Sequence, residues 1–582
     1  GDAFGEMGYE AATGVQLDAA GNVVVAGVSG ALDFPTTPGA YATAALTAQE
    51  TFIARLNPAG QALTYGSFLN SATGSSQVAL ARDAADFLYL TGQTWSAGFP
   101  ITAGAWDTQP GDYAADGFAL KFRLNRPEAN AGWAPVGAGS AEGGGVSGND
   151  GDSTRPALAA APDGALYLAW SDSLSGDAEI YVRRWDGAGW REAGPGAAAG
   201  GGVSNNTGDS LTPALAVAPD GTLYLAWSDD SSGDSEIYVS RFRDGVWSEV
   251  GDGSAAGGGI SNNSGTSEMP SLAASDDGRV SVAWADSSGG NGEIYLRVWD
   301  GGRWVELARS GSGSGLSKTP GLSARPQVVV SDGAPVVGWT DMSSGDSDVY
   351  VARWSGRRWV ALGAGANSGS GISANDSLSR LGDLAAGPDG ALYAVWADNG
   401  SGDFDVYLRR WDGQAWSELG NGSASGNGLS TGSGNSHLPV LAFAADGAPI
   451  VAYYETIAGS AEIYVRRWDG ARWAEVTDGA ARGGGVSDNA GASTWAALLV
   501  GAEGRITVAW EDNSSGRAEI YVRAAGNQPC YALNLSHSGQ GADPTAVPDR
   551  SPGCDAGRYH AGAEVALIAA PLAGWRVAGW QG

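Results

Sequence analysis

The chain has 582 residues, 43% of them hydrophobic, with 64 acidic against 33 basic side chains and a formal charge of −31. Such a charge repels phosphate backbones and anionic membrane surfaces, so nucleic acid is not an expected partner. No run of eighteen or more apolar residues marks a membrane span, and 93 Gly beside 23 Trp point to a turn-rich, all-β chain.

The chain starts at Gly1 without Met or an apolar leader, so the expectation is a fragment boundary, with any secretion signal lying upstream. In residues 1–125, AGNVVVAGVSGALDFPTTPGAY from Ala20 is answered by ADFLYLTGQTWSAGFPITAGAW from Ala85, and Phe34-Pro35 matches Phe99-Pro100 at a spacing of 65. TFIARLNPAG and GFALKFRLN follow as strand-like runs. This order resembles the bacterial β-propeller repeat called SBBP. Two incomplete repeats cannot close a ring, so the segment reads as the tail of a propeller or a cap on the next domain.

A second period governs 126–525. Trp170, Trp227, Trp284, Trp339, Trp396 and Trp510 recur at 55 or 57 residues, with Tyr453 in the sixth place. Each copy reads as four antiparallel strands, a to d: PALAVA, a PDG turn, TLYLAWSD, a polar loop, EIYVRRW, a DGxxW turn and a short WxEVG strand. Seven such units predict a seven-bladed β-propeller. The d-strand Trp appears at Trp190, Trp247, Trp304, Trp359, Trp416 and Trp473, then fails after Glu519–Arg523; its seventh copy is Trp133, ahead of the first full unit. The ring is therefore expected to close by pairing this N-terminal strand with the last three. Eighteen of the 23 Trp fall in three repeat columns, which assigns them to the core rather than to sugar stacking.

In a propeller the b-to-c and d-to-a connections share a face, and here they are the long ones, so binding is expected there. Two acidic columns mark it. One follows the b-strand Trp: Asp172, Asp229, Asp286, Asp341, Asp398, Glu455 and Asp512; the other opens strand c: Glu179, Glu236, Glu293, Asp348, Asp405, Glu462 and Glu519. Between them stands the Asp of SGD, at Asp177, Asp234, Asp346 and Asp403. The loop middles vary, SSGD at Ser231–Asp234 against SGGN at Ser288–Asn291 and SSGR at Ser514–Arg517, and a loop-specific function is expected there.

SDDSSGDSE offers Asp229, Ser231, Asp234 and Glu236, enough oxygen for calcium but not in the alternating register of a calcium loop. No cofactor is implied, calcium remaining the open alternative. The plainer reading makes these residues turn-formers, their oxygens bonding loop amides.

RRWDGAGW at Arg183 and RRWDGARW at Arg466 resemble the Asp-box hairpin of sialidases without its Ser and one residue short, and APDGTLYLAWSD resembles TolB-type propeller repeats. Both imply a fold and no activity. The three His are His437, His537 and His560; none sits in a recognisable triad or metal motif.

In 526–582, YALNLSHSGQG, GRYHAGAEVALIAAP and GWRVAGWQG resemble the internalin B-repeat of bacterial surface proteins, here expected to be truncated. Cys530 and Cys554, the chain's only Cys, fit a disulfide in an oxidising compartment. The combined expectation is a monomeric extracellular or cell-surface bacterial protein that binds glycans or other proteins without catalysis through its long-loop face, the ten aspartates at Asp172–Asp512 and in SGD being its candidate contacts. A sialidase-like glycosidase or lyase is the competing expectation, and it requires one irregular cavity at the axis with clustered Arg and acids. A rigid spacer in a long surface protein is the third.

Overall fold

The computed structural model describes residues 132–525 except 431–433, 458, 478, 482–483, 490 and 502–503, together with 10–17, 23–30, 34–36, 50–56, 61, 63–69, 78–82, 88–94, 116–122, 531–533, 535–536, 541–547, 557–559, 565–572 and 576. Cys530, Cys554, His537, His560 and Phe99-Pro100 lie outside them. The described residues form strands and turns with no helix, in two compact units, Gly1–Glu128 and Ala129–Gly582.

Within the second unit, residues 132–525 form seven four-stranded antiparallel sheets, the arrangement from which propeller blades are made. Sheet 1 runs Ser153–Ala160, Leu166–Asp172, Glu179–Trp185, Trp190–Glu192. The a strands of sheets 2 to 7 are Ser210–Val217, Ser267–Ala274, Ser323–Ser331, Ser379–Ala386, Asn435–Phe443 and Ser493–Val500. In sheet 7 the fourth strand is Trp133–Pro135, paired with Arg523–Ala525. Each a strand neighbours the next, and the a strand of sheet 7 neighbours that of sheet 1.

The repeat columns explain themselves in this packing. The b-strand Trp are 0–1% exposed, each wedged between adjacent sheets beside a c-strand Tyr, as with Trp170 and Tyr181 at 5.9 Å. Five of the seven d-strand Trp bridge sheets through a hydrogen bond: the indole N–H of Trp247 donates to Ala193 O at 2.6 Å, and Trp190, Trp304, Trp359 and Trp416 do the same to the preceding sheet, whereas the indole N–H groups of Trp133 and Trp473 are buried without a partner among the described residues. A buried indole with a partner contributes area without a desolvation penalty. Gly202 marks where the d-to-a loop crosses strand c: at φ +62 a Cβ would stand 2.3 Å from Ile180 O, so only glycine fits.

One feature breaks the strand alternation. In every a strand two residues oppose a single b-strand residue, as Arg155-Pro156 lie between the pairs Thr154–Ser171 and Ala157–Ala169. Such a β-bulge re-aims a side chain and sharpens the local twist. The first residue of the bulge has positive φ in six sheets, preceding Pro at Arg155, Thr212, Met269, Arg325 and Leu438 and preceding Ala496 at Trp495.

In the first unit, strands Glu10–Leu17, Val23–Ser29, Glu50–Leu56 and Leu63–Phe68 form one antiparallel sheet, and Ala79–Arg82, Leu88–Thr94 and Asp116–Phe122 another. Val24, Ala26, Ile53, Leu90 and Phe118 share a core, and Phe34 of the DFP motif packs on Phe52 and Phe68. Toward the C-terminus two small two-stranded sheets pair Tyr531–Ala532 with Arg558–Tyr559 and Gly541–Val547 with Ala566–Pro571.

Candidate functional site

The acidic column behind the b-strand Trp is buried and fully engaged. Asp172 accepts at Oδ2 from the Trp170 indole (2.8 Å), Ser153 Oγ (2.8 Å) and Asn149 Nδ2 (2.7 Å), and at Oδ1 from Leu174 N (3.0 Å). A carboxylate offers about four acceptor sites, so this one is saturated. Asp229, Asp286 and Asp512 repeat the set with Asn206, Asn263 and Asn489; Asp341 takes Thr319 in place of Asn, and Asp398 keeps Asn375. These six aspartates are 0–1% exposed. They staple the d-to-a loop, strand a and the b-to-c turn to one point. Sheet 6 changes both partners together: Tyr453 has no indole N–H to satisfy, its hydroxyl accepts from Arg466 Nε at 3.3 Å, and Glu455 reaches the amide of Gly434 at 3.0 Å.

The strand-c acids do the same for the following loop. Glu179 accepts from Ser204 Oγ and from Asn206 N at 2.9 Å, and Glu519 from Ser147 Oγ at 2.5 Å. Burial holds Glu179, Glu236, Glu293, Asp348, Asp405 and Glu519 above the ordinary carboxylate range despite these bonds. The SGD aspartates lie further out: Asp177, Asp234 and Asp346 are partly exposed and Asp403 exposed, at hairpin tips. Among the described residues no group of three or more His, Cys, Asp or Glu is arranged to hold a metal ion.

The repeat breaks at the bulge. The seven bulge positions, Arg155, Thr212, Met269, Arg325, Leu381, Leu438 and Trp495, one from each sheet, line a cavity of about 220 Å³ with Pro156, Pro213, Pro270, Pro326 and Pro439. A wider depression of about 550 Å³ around Arg353, Trp354 and Ser355 lies among the short a-to-b and c-to-d turns and is walled largely by repeat-column residues. At the cavity the seven sheets differ in chemistry, with Arg, Thr, Met, Leu and Trp at the bulge position, and it sits near the long-loop ends of the a strands.

Its charged side runs from sheet 4 around to sheet 1. Next to the lining residues Leu381 and Leu438 stand Arg380 and His437. Arg380 lies over Phe404 at 4.7 Å, Phe404 meets His437 at 5.1 Å, and His437 meets Tyr454 at 5.3 Å. On the other flank Arg155 lies over the Trp495 indole at 5.2 Å, while its backbone N–H donates to Glu511 Oε2 at 3.3 Å. Sheets 2 and 3 bring Thr212, Met269 and the exposed Glu268. One step deeper in strand a, Asp383 accepts from Leu441 N at 2.9 Å and Leu384 N at 2.8 Å, and burial pushes its carboxyl up to about 6.

The electrostatics follow from three like charges beside one small space. Burial, then repulsion from Arg380, lowers the Arg325 pKa, with Tyr454 opposing and Arg155 adding to it. Burial, then Arg380 and Arg325, holds the His437 imidazole below its ordinary value, so it is neutral at pH 7. Burial raises Tyr454 and Glu511; the arginines oppose the first, and the Arg155 amide and charge the second. Among the described residues the guanidiniums of Arg155, Arg325 and Arg380 make no hydrogen bond or ion pair to protein, whereas Arg184, Arg353, Arg410 and Arg467 of the c strands each pair with an Asp. An unpaired guanidinium fork matches the two oxygens of a carboxylate, or a sulfate or phosphate edge.

The site expected in the loops and the one assembled at the bulges are therefore different residues. Read from the sequence alone, strand a begins at the Pro of units such as PALAVA, and the bulge position before it lies outside the strand. One signal was available: Trp495 is the only tryptophan of 132–525 outside the three Trp columns.

No family model matches the chain, and no curated protein matches it. Among solved structures it is similar to a protein of unknown function from Dyadobacter fermentans (14% identity, TM-score 0.36, 64% of this chain and 94% of that one). It is also similar to an ulvan lyase (10%, 0.39, 64% and 93%) and to a Hadza microbial sialidase (16%, 0.34, 66% and 68%). Likeness at this level decides neither substrate nor chemistry, which rest on the residues above.

Proposed function

We propose that residues 126–525 are a closed seven-bladed β-propeller that recognises an acidic glycan through its axial cavity, in an extracellular or cell-surface protein. Closure is supported by the pairing of Trp133–Pro135 into sheet 7, by the adjacency of the a strands of sheets 7 and 1, and by one cavity taking a residue from all seven sheets. The flanking segments, 1–125 and 526–582, are proposed as SBBP-like and internalin-like modules, with Cys530 and Cys554 as a disulfide.

The observation that carries the function is the set of three unpaired arginines, Arg155, Arg325 and Arg380, on three different blades of a chain whose net charge is −31. Locally concentrated positive charge in an acidic protein selects for anions that approach this one spot. A carboxylated sugar suits the mixed lining, its acid on the arginines and its C–H faces on Met269 and Leu438. The long-loop face, with Asp177, Asp234, Asp346 and Asp403 toward its rim, would meet the remainder of the glycan. Calorimetry with uronic and sialic acid glycosides against neutral sugars tests this: acidic ligands alone should bind, and Arg325→Met should weaken them about ten- to hundredfold, the range of a lost charge-assisted bond. Equal binding of neutral sugars would overturn it.

Catalysis is the second reading, favoured by the neutral His437 and by Tyr454 standing in series beside Arg380, a base and a hydroxyl next to groups suited to a carboxylate. Release of new reducing ends or of an ultraviolet-absorbing unsaturated product from acidic oligosaccharides would establish it, and loss of that turnover in Tyr454→Phe would assign the hydroxyl. If neither binding nor turnover appears, a spacer role is what is left.

A further inference from the structure

The cavity is small and Trp495 is exposed beside it, and together they specify which part of a glycan enters. At about 220 Å³ the space lies below the roughly 300 to 1,000 Å³ of ordinary small-molecule sites, so it admits about one sugar unit. It is ringed by one residue from each sheet, and a linear chain crossing it would have to bend one internal unit down into the ring and both neighbours back out. A chain end needs no such distortion.

Trp495 belongs to the same bulge column but not to the core. Its relative exposure is 36%, against 0–1% for the b-strand Trp, and it lines the cavity with the guanidinium of Arg155 over its ring at 5.2 Å. Burying this indole against neighbouring blades would follow from the tendency of large aromatics to dominate cores; here the sequence holds it at the mouth with positive φ, +51. An aromatic face fixed by a cation and opening to water next to an anion-binding cavity has the form of a stacking platform for the C–H face of a pyranose.

We propose that the cavity takes the terminal acidic residue of a glycan and that Trp495 forms a second subsite, stacking on the sugar next to it. This rests on the acidic-glycan reading and deepens it: the ligand class becomes a chain that ends in a carboxylated sugar. Arg155 then has two roles, one toward the terminal carboxylate and one in holding the indole.

The experiment is a titration of the whole chain with three probes for each of glucuronic, galacturonic and N-acetylneuraminic acid: the methyl glycoside, a disaccharide with the acid at its non-reducing end, and a trisaccharide with the same acid internal. Wild type should bind the disaccharide about five- to tenfold more tightly than the methyl glycoside, a gain of the size of one aromatic contact, and the internal acid at least tenfold more weakly. Trp495→Ala should weaken the disaccharide about five- to tenfold more than the methyl glycoside, so that its advantage is erased, and Trp495→Phe should restore part of it. Binding of the internal acid as tightly as the terminal one overturns the chain-end assignment. Equal weakening of both terminal probes by Trp495→Ala, or of neither, overturns the subsite while the cavity reading stands. Absence of binding by every acidic probe overturns the cavity reading and this proposal with it.

Discussion

The loop carboxylates and the cavity guanidiniums arise from the same repeat and stand in opposite chemical states. Asp229 is buried with its oxygens filled by Trp227, Ser210, Asn206 and Ser231. Arg325 is partly buried with every N–H unassigned among the described residues and two like charges nearby. A repeated residue whose bonds are complete serves the scaffold. A residue that breaks the repeat with its bonds incomplete has been placed at the expense of stability, which is the ordinary signature of a site.

This contrast is broken or sharpened by graded substitutions. The largest effect belongs to Asp229→Ala, which strands an indole N–H, three further side-chain donors and an amide where the d-to-a loop meets sheet 2: a loss of about 3–5 kcal/mol in denaturant unfolding is expected. An unchanged midpoint would mean that the acidic column is not structural. Arg325→Met is expected to do the reverse, weakening acidic ligands about ten- to hundredfold while stability holds or rises by up to about 1 kcal/mol as repulsion is relieved.

Acidity supplies a smaller effect with a definite sign. Glu179, Glu236, Glu293, Asp348, Asp405 and Glu519 have folded pKa values raised by burial, as does Asp383 at about 6. The folded state therefore holds more protons than the unfolded chain between the ordinary carboxylate range, near 4, and the raised values. Stability from these groups is complete below that window and is lost as pH rises through it, so Tm should climb from pH 7.5 to about 5. Further acid should reverse the trend, because turn carboxylates such as Asp186, held low by Arg191 and two amides, favour the folded state only while ionised. A Tm flat from pH 7.5 to 5 would contradict the burial of Asp383. The smallest expected effect is none: calcium or a chelator should leave Tm unchanged, since Asp172 and its equivalents already accept from four protein donors.

Much of the scaffold was legible because it is periodic. Trp170 and its successors set the repeat length, Asp-Gly turns divided each unit into strands, and the displaced Trp133 foretold the strand that joins sheet 7. The cavity was illegible for a physical reason. Strand reading relies on alternation with a period of two, and the bulge inserts a residue there, so Arg155, Arg325 and Leu438 appeared as the polar or apolar prelude to a strand beginning at Pro. The conspicuous acids drew attention for the opposite reason: repetition made them visible, yet their saturation by Asn, Ser and Trp donors is visible only in three dimensions. The loop middles, where variation was expected to carry function, hold Arg517 bonded to Asp150 O and Asn291 bonded to Gly321 O, local ties of the same kind.

The joining strand also sets a clock. Trp133–Pro135 leaves the ribosome ahead of the seven sheets' other strands, and Arg523–Ala525 some 390 residues later. Through that interval sheet 7 is missing three strands, its neighbours expose apolar faces, and closing so long a loop then costs about 5 kcal/mol of chain entropy. Completion of sheet 7 is consequently a late event with an aggregation-prone wait before it. The same long-range pairing must be broken to take sheet 7 apart, and it is held by one short strand.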